Sequence, residues 1–398
     1  MITWLFDQKN TWGYVPNLVK DSGIQPGTSA WQDLSFQKPH SEEFGFLKYC
    51  DLDGVKYNAC LVSDDWQSPA YYPISLSVWD SSTDYFSYMD PASLQGLKNG
   101  EFRVLFYYCQ ADDPTVEILP SLTALVDHYG IPHDAVKFAI SNWLVHDAHP
   151  FVYFPDWELH YRYLHLTGKK SWIETVNLSP RTRKTTCLIS ADKPWRRIFA
   201  SNFLDMGLSQ HSYFSYNNYR TGETQLDDTS DWSELGEDQD RVMASFQLQL
   251  PIRSDDLLDY QHNNHRLVQQ HYYNDSYWNI VVESNYSEDT VFLTEKTFKP
   301  ILNMQPFVIV GNPGSLRLLK HLGYRTFSRV IDERYDRMQD PQARMLGLLN
   351  VAYSINARSH RDHMGIQAVL QDTLKYNQQQ FLKPKTTRIQ NFLAQLEY

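Results

Sequence analysis

The sequence predicts an α/β protein of two domains, and three observations carry that reading. The first is size: 398 residues with a hydrophobic fraction of 42% suit two cores of roughly 150–200 residues each rather than one. The second is a pair of strand–helix–strand series, one opening at Phe102 and one near Arg183, the pattern of parallel α/β units. The third is the stretch 292–327, FLTEKTFKPILNMQPFVIVGNPGSLRLLKHLGYRTF, which sets a capped helix start, an apolar strand, a glycine-bounded turn and a second amphipathic segment in a row.

Taken in order, residues 1–98 alternate short apolar runs with Gly, Pro, Asp and Ser. Within them FGFLKYCDLDGVKYNACLVS reads as two strands around an Asp-Gly turn. FRVLFYYC is then a buried strand, PTVEILPSLTALVDHYGI a helix with Pro120 inside it, and DAVKFAISN a second strand. The later series runs KTTCLIS as strand, KPWRRIFASNFLDMGL as a helix ended by Gly207, and HSYFSYNNY as strand. Residues 221–240 hold eight acids and no base, a solvated surface loop. WNIVVES is a buried strand, followed by a helix from Glu295, the strand PFVIVG, a helix from about Ser315, and a strand near YRTFSRVI. The chain from Asp340 reads as mostly helical. The expected division is 1–170 and 171–375, with a helical tail over 376–398 and a cleft between the two halves, where ligands would meet the carboxyl ends of the strands.

Composition excludes some functions and leaves others open. The formal charge of −11 argues against a broad nucleic-acid footprint, though not against a local basic cleft. Aromatics at 14% suit stacking on sugars or bases, and large cores equally. No apolar run approaches the ~20 residues needed to span a bilayer, and MITWLFDQKNTWGYV lacks the pattern of a signal peptide. The expectation is a soluble, cytoplasmic protein. Cys50, Cys60, Cys109 and Cys187 form no metal-ligating spacing and read as reduced thiols; Asn177, Asn274 and Asn285 match Asn-x-Ser without a secretory context.

The chemistry concentrates in VVESNYSEDTVFLTEKTFKPI. A strand ending at Glu283-Ser284-Asn285 sets polar groups at its carboxyl edge. Thr294 is then a helix N-cap, with Glu295 and Lys296 in the first turn. A helix start offers free N–H groups and partial positive charge, so it favours phosphate. A lysine there opposes the dipole unless an anion sits beside it, and a neighbouring carboxylate can accept two ribose hydroxyls. The plain alternative stands beside this: Glu295 an ordinary first-turn acid and Lys296 a solvated lysine.

The order from Asn279 to Gly311 resembles the donor-binding motif of the α1,3-fucosyltransferases: a strand ending in Glu-Asn-Ser, a short acidic loop, Thr-Glu-Lys, a helix, and a strand ending in Gly. The wording TEKTFKPI…QPFVIVG…LGYRTF also resembles glycosyltransferase-like proteins of bacteriophages. The strong match covers roughly a tenth of the chain. The resemblance implies a GT-B-like glycosyltransferase of two Rossmann-like domains facing a cleft, the second binding a nucleotide sugar donor and the first a hydroxyl acceptor. Carried over, Glu295 would hold the ribose, Lys296 the diphosphate, and Asn285 with Glu283 would line the same edge beside Thr294. An arginine would also meet the diphosphate, with Arg183, Arg196 and Arg197 as candidates and Arg197 preferred.

The resemblance further implies an inverting transfer to a glycan or, by the phage likeness, to a hydroxymethylated DNA base in the host cytoplasm. No cofactor beyond the co-substrate and no metal are expected. Asp112 and Asp113, just past the FRVLFYYC strand, are the candidate bases, Glu117 a weaker one; Asp113-Pro114 can equally cap the next helix. Two departures put the donor sugar in question: Glu-Asn-Ser is Glu-Ser-Asn here, and the tyrosine two residues before Thr-Glu-Lys is Phe292. The competing class is a non-catalytic sugar- or partner-binding protein on the same scaffold.

Other signals are weaker. Asp-x-Asp occurs at 51–53 and at 238–240, the first in the expected hairpin and the second in the acidic loop. HDAHPFVYFPDWELH offers His146, His149 and His160 without zinc spacing. GNPGSLRLLKHLG lacks both the GxGxxG and the P-loop patterns and reads as a turn into a helix.

Overall fold

The computed structural model describes residues 2–7, 46–108 apart from 68, 77, 78 and 80, 118–189 apart from 146–148 and 169–171, 193–216, 244, 246, 252, and 269–397 apart from 287–289. The chain is α/β, as the sequence predicts, with two Rossmann-like units each built on a parallel sheet. Met1–Gly168 and Pro384–Tyr398 form one unit and Lys169–Lys383 the other.

The first unit carries six strands: β1 (Thr3–Phe6), β2 (Asn58–Leu61), β3 (Ala70–Ser75), β4 (Arg103–Tyr108), β5 (Val136–Ile140) and β6 (Phe151–Tyr153). Their order is β2-β1-β3-β4-β5-β6, and every pairing is parallel. Both faces of such a sheet are covered, so its strands are apolar at most positions rather than alternating with polar ones. The period-two geometry still shows in where they point. Trp4, Phe6, Leu105 and Tyr107 enter one core, while Leu5, Val104, Phe106 and Tyr108 enter the other.

Helices α1 (Phe46–Leu52), α2 (Pro91–Lys98), α3 (Leu119–Tyr129) and α4 (Asp156–Thr167) belong to this unit. The stretch read as the first strand of a hairpin is therefore α1. Its Asp-Gly pair is a helix stop: Gly54 has φ +67°, the Val55 N–H donates to the Cys50 carbonyl at 2.8 Å and the Gly54 N–H to the Asp51 carbonyl at 3.3 Å, which is the Schellman arrangement. Packing decides against the strand. Phe46 meets Trp4, Tyr107, Phe154 and Phe392. Pro120 stands in the first turn of α3 rather than inside it, where its missing N–H costs nothing.

The second unit holds β7 (Arg183–Ile189), β8 (Ser212–Tyr216), β9 (Ser276–Val282) and β10 (Phe307–Val310) in the order β10-β9-β7-β8, all parallel. Its helices are α5 (Pro194–Asp205), α6 (Gln270–Asp275), α7 (Glu295–Leu302), α8 (Ser315–His321), α9 (Pro341–Ala357) and α10 (His360–Leu382). No strand forms near YRTFSRVI. The backbone there is satisfied by side chains instead: Asn377 accepts from the Arg325 N–H and donates to its carbonyl, both at 2.8 Å, and Glu333 accepts from the Phe327 N–H.

The tail read as a separate segment from residue 376 is divided differently. Helix α10 runs through that position to Leu382, and the chain after Lys383 joins the first unit as α11 (Thr386–Glu397). Ile389, Phe392, Leu393 and Leu396 recur at helical spacing and fill the core shared with Trp4 and Tyr107. Buried ion pairs fix its start: Lys385 Nζ lies 2.9 Å from Glu158 and Arg388 contacts the same carboxylate, while Asp53 pairs with Arg162 at 2.8 Å and accepts from the Lys385 N–H at 2.8 Å. Among the described residues, no helix is long and apolar enough to cross a membrane.

Candidate functional site

In the second sheet the chain leaves β7 toward β8 on one side and reaches β9 on the other. The connections after β7 and β9 therefore diverge, and the crevice at their carboxyl ends is a topological switch point, the usual ligand position of an open parallel sheet. The residues singled out around Glu295 stand at this edge.

Lys193, with Pro194 as first helical residue, forms the N-cap of α5. Spacing of three and four residues then sets Lys193, Arg196 and Arg197 on one side of the helix start. Its ammonium donates to the Ser284 carbonyl at 2.7 Å and lies 3.5 Å from Asn285 Oδ1. Arg196, 3% exposed, donates Nε to the Glu283 carbonyl at 3.1 Å and a second nitrogen to the same oxygen. Arg197 is buried beside it.

On the far side of β9, Thr294 caps α7 by accepting from the Lys296 N–H at 3.3 Å. Lys296 Nζ donates to Ser284 Oγ at 3.2 Å and Thr294 Oγ1 at 3.1 Å, and pairs with Glu295 at 3.2 Å. Two ammonium groups from separate helices thus meet on Ser284. Lysine side-chain exposure at 296 is 24%, against 8% for Glu295, so the cation is the reachable member of that pair. Among the described residues, the cations of Lys193, Arg196 and Lys296 stand at this edge with the carboxylates of Glu283 and Glu295, and cationic groups set together draw anions to them.

Glu283 does not face out. Fully buried, it accepts from Thr294 N–H (3.1 Å), Thr294 Oγ1 (2.6 Å), Thr297 Oγ1 (2.7 Å) and Ser284 N–H (3.2 Å). Gly311, just past β10, leaves room for it: a Cβ there would stand 3.1 Å from Glu283 Cβ.

Arg183 is not with these residues. It opens β7 at the sheet's amino end, with its guanidinium 5.5 Å from the Tyr213 ring; seven residues of strand, about 20 Å, separate it from the switch point. Asp112, Asp113 and Glu117 lie outside the described residues, as do the acid-rich loop 221–240, the second Asp-x-Asp, His146 and Cys109. The first Asp-x-Asp closes α1, where Asp51 accepts from Tyr57 and Asp53 is taken by Arg162. Phe292 is buried and brings no hydroxyl.

The second helix start of the unit is closed. Asp336 accepts from the Leu316 and Arg317 N–H groups at 2.7 and 3.2 Å, so an internal carboxylate already caps the GNPGS turn. Burial raises the Asp336 pKa, and those two N–H donors pull it back. Lys193 is not among the residues the sequence points to, and Ser284 enters there only as part of the polar strand end Glu283-Ser284-Asn285. The signal for Lys193 was present: a proline directly after it, following a strand, marks a helix start and sets the residue on the sheet's carboxyl edge.

No family model matches the chain, and no curated protein does. Among solved structures the chain is similar to one described as the crystal structure of an α1,3-fucosyltransferase, at 8% identity over 100% of this chain and 90% of that one, with a TM-score of 0.40. A score that low leaves the reading of the site to its own geometry and to the order of residues between Asn279 and Gly311.

Proposed function

We propose that the chain is a glycosyltransferase whose second unit binds a nucleotide diphosphate sugar and passes the sugar, with inversion, to a hydroxyl acceptor. The observation that carries this reading is the convergence of Lys193 and Lys296 on Ser284 at the switch point. Two ammonium groups held near one serine repel each other, and an anion of two or more charges between them relieves that repulsion. A diphosphate has the charge and the length to touch both, and the order of residues from Asn279 to Gly311, which resembles the donor-binding motif of the α1,3-fucosyltransferases, supports the same ligand.

In the reaction the acceptor oxygen attacks the anomeric carbon as the bond to the diphosphate oxygen breaks. The acceptor proton passes to a carboxylate, for which Asp112 and Asp113 are proposed. Charge develops on the departing diphosphate, where Lys193, Lys296 and Arg197 stabilise it. Glu295 accepts the ribose hydroxyls while its partner Lys296 meets phosphate. A glycan, or a hydroxymethylated base in DNA, supplies the acceptor hydroxyl.

The test is thermal unfolding with the diphosphates of adenosine, guanosine, uridine, cytidine and thymidine, followed by transfer assays with sugar conjugates of whichever nucleotide stabilises. At a hundred times its dissociation constant the right nucleotide adds about 2.7 kcal/mol, and Lys296→Ala lowers that gain. Nucleotide binding without transfer to any hydroxyl acceptor would favour a sugar-binding protein over an enzyme.

A further inference from the structure

We infer that Glu283 is a positioning residue of the anion site, acting on bound diphosphate through Thr294, Ser284 and Lys296 without touching it; this rests on the reading that those lysines hold a diphosphate. An ionised carboxylate accepts hydrogen bonds at about four lone-pair sites and donates none. Glu283 is 0% exposed and already receives four donors: the Thr294 and Ser284 N–H groups and the Thr294 and Thr297 hydroxyls. No lone pair is left for a ligand.

What the carboxylate does instead follows from polarity. Because it cannot donate, the Thr294 hydroxyl must spend its one proton on Glu283, across 2.6 Å. The lone pairs of Thr294 Oγ1 are then left to accept, and the Lys296 ammonium takes one at 3.1 Å while the Lys296 N–H lies at 3.3 Å. The Ser284 N–H is tied to the same carboxylate at 3.2 Å, which fixes the residue whose Oγ meets Lys296 and whose carbonyl meets Lys193. Both acceptors of Lys296 other than Glu295 are therefore oriented by one buried charge. Glycine at 311 belongs to the device. Any side chain there presses on Glu283 Cβ from 3.1 Å, so Gly311→Ala displaces the carboxylate by tenths of an ångström and leaves its chemistry intact.

An amide in place of the carboxylate reverses the polarity at almost no change in volume, since its NH2 donates where the carboxylate accepted. The experiment measures binding of the five nucleoside diphosphates, by titration calorimetry, to the natural protein, Glu283→Gln, Lys296→Ala and the double variant. The expected result is a loss of about tenfold or more for Glu283→Gln alone and under about threefold in the Lys296→Ala background, because contacting networks are not additive. Equal loss in both backgrounds overturns the inference, since a residue that touches the ligand or merely holds the fold acts regardless of Lys296. Gly311→Ala repeats the test where Glu283→Gln fails to fold: a smaller loss with the same dependence on Lys296 supports the inference, and equal loss in both backgrounds overturns it. Failure of the natural protein to bind any of the five removes the proposed function and this inference together. Binding with additive losses removes the inference alone.

Discussion

Two clusters of charge, one in each unit, are built from the same residue types and do different things. In the first unit Asp53, Glu158, Arg162, Lys385 and Arg388 pair off below the surface, with side-chain exposure of 0% at both acids and 1% at Lys385. In the second, Lys193, Arg196 and Lys296 stand with Glu283 and Glu295 among the described residues, and Lys296 keeps 24% of its side chain exposed. The first cluster, two acids with three cations, is closed and fastens α11 to its sheet. Exposure marks the second, which has charge to offer a ligand. Neither the number of charged residues nor an excess of cations separates a structural cluster from a binding one. Their access to water does.

The largest expected effect breaks the closed cluster. Glu158→Ala leaves the ammonium of Lys385, 1% exposed, without its partner at 2.9 Å and takes the same carboxylate from Arg388. Stranding buried charge in this way costs roughly 3–5 kcal/mol, read as a lower midpoint in urea unfolding. The folded fraction should bind nucleotide as before, because the residue serves only the first unit.

A third cluster sharpens the comparison, positive like the second and buried like the first. At the amino end of the second sheet His363 stacks on Tyr277 at 4.8 Å and is 0% exposed. Burial first, then the nearby charges of Arg358, Lys184 and His360, lower its pKa from 6.5 to about 4. Asp362 precedes it in α10. The folded state thus holds His363 neutral while the unfolded chain protonates it below about pH 6.5. Its contribution is complete above pH 6.5 and is lost as pH falls from 6.5 toward 4, up to about 3 kcal/mol. Unfolding midpoints measured between pH 7 and pH 4 should show that loss, and His363→Gln should flatten the slope in this window.

The open cluster responds to ligand rather than to folding. Lys296→Ala removes a partly exposed cation and should change intrinsic stability by under about 1 kcal/mol. It should lower the nucleotide-induced gain from about 2.7 kcal/mol to about 1.4 kcal/mol, as a tenfold weaker affinity gives. Lys193→Ala should act in the same direction, since its ammonium reaches Ser284 from the other helix. A variant of either lysine that destabilises the protein by several kcal/mol yet leaves the gain intact would reverse the roles assigned to the two regions.

The α/β class, β4 and β5 of the first sheet and the four strands of the second were legible in the sequence because buried parallel strands are short apolar runs with clear ends, whereas β1, β3 and β6 were not read as strands. The edge at Glu283–Lys296 was legible because a cap, an acid and a base after a strand have few other arrangements. What stayed hidden depended on neighbours distant in sequence. The Asp-Gly pair at 53–54 signals a hairpin and a helix stop alike, and only packing of Phe46 against Phe392, 346 positions away, chooses between them. Glu283 reads as a ligand from its place at a strand end; its four internal donors come from residues up to 14 positions later. Arg183 was misplaced by one strand length, since a basic residue beside a strand marks neither of its ends.

The smallest expected effect comes from the ion pair whose geometry is the most complete. Arg334 meets Asp332 through Nε at 2.8 and 3.0 Å and through a terminal nitrogen at 2.6 Å, a fork that matches a carboxylate better than either lysine contact at the anion site. Its hydrogen bonds raise the arginine pKa and lower that of the aspartate. Yet the two side chains are 83% and 49% exposed, so water competes for every one of these bonds and salt screens the attraction. Arg334→Ala should leave both the urea midpoint and nucleotide binding unchanged within error, at low and at high salt. A measurable loss at low salt would mean that geometry, and not burial, sets what a charged cluster contributes in this chain, and the contrast between the two units would have to be drawn again on that basis.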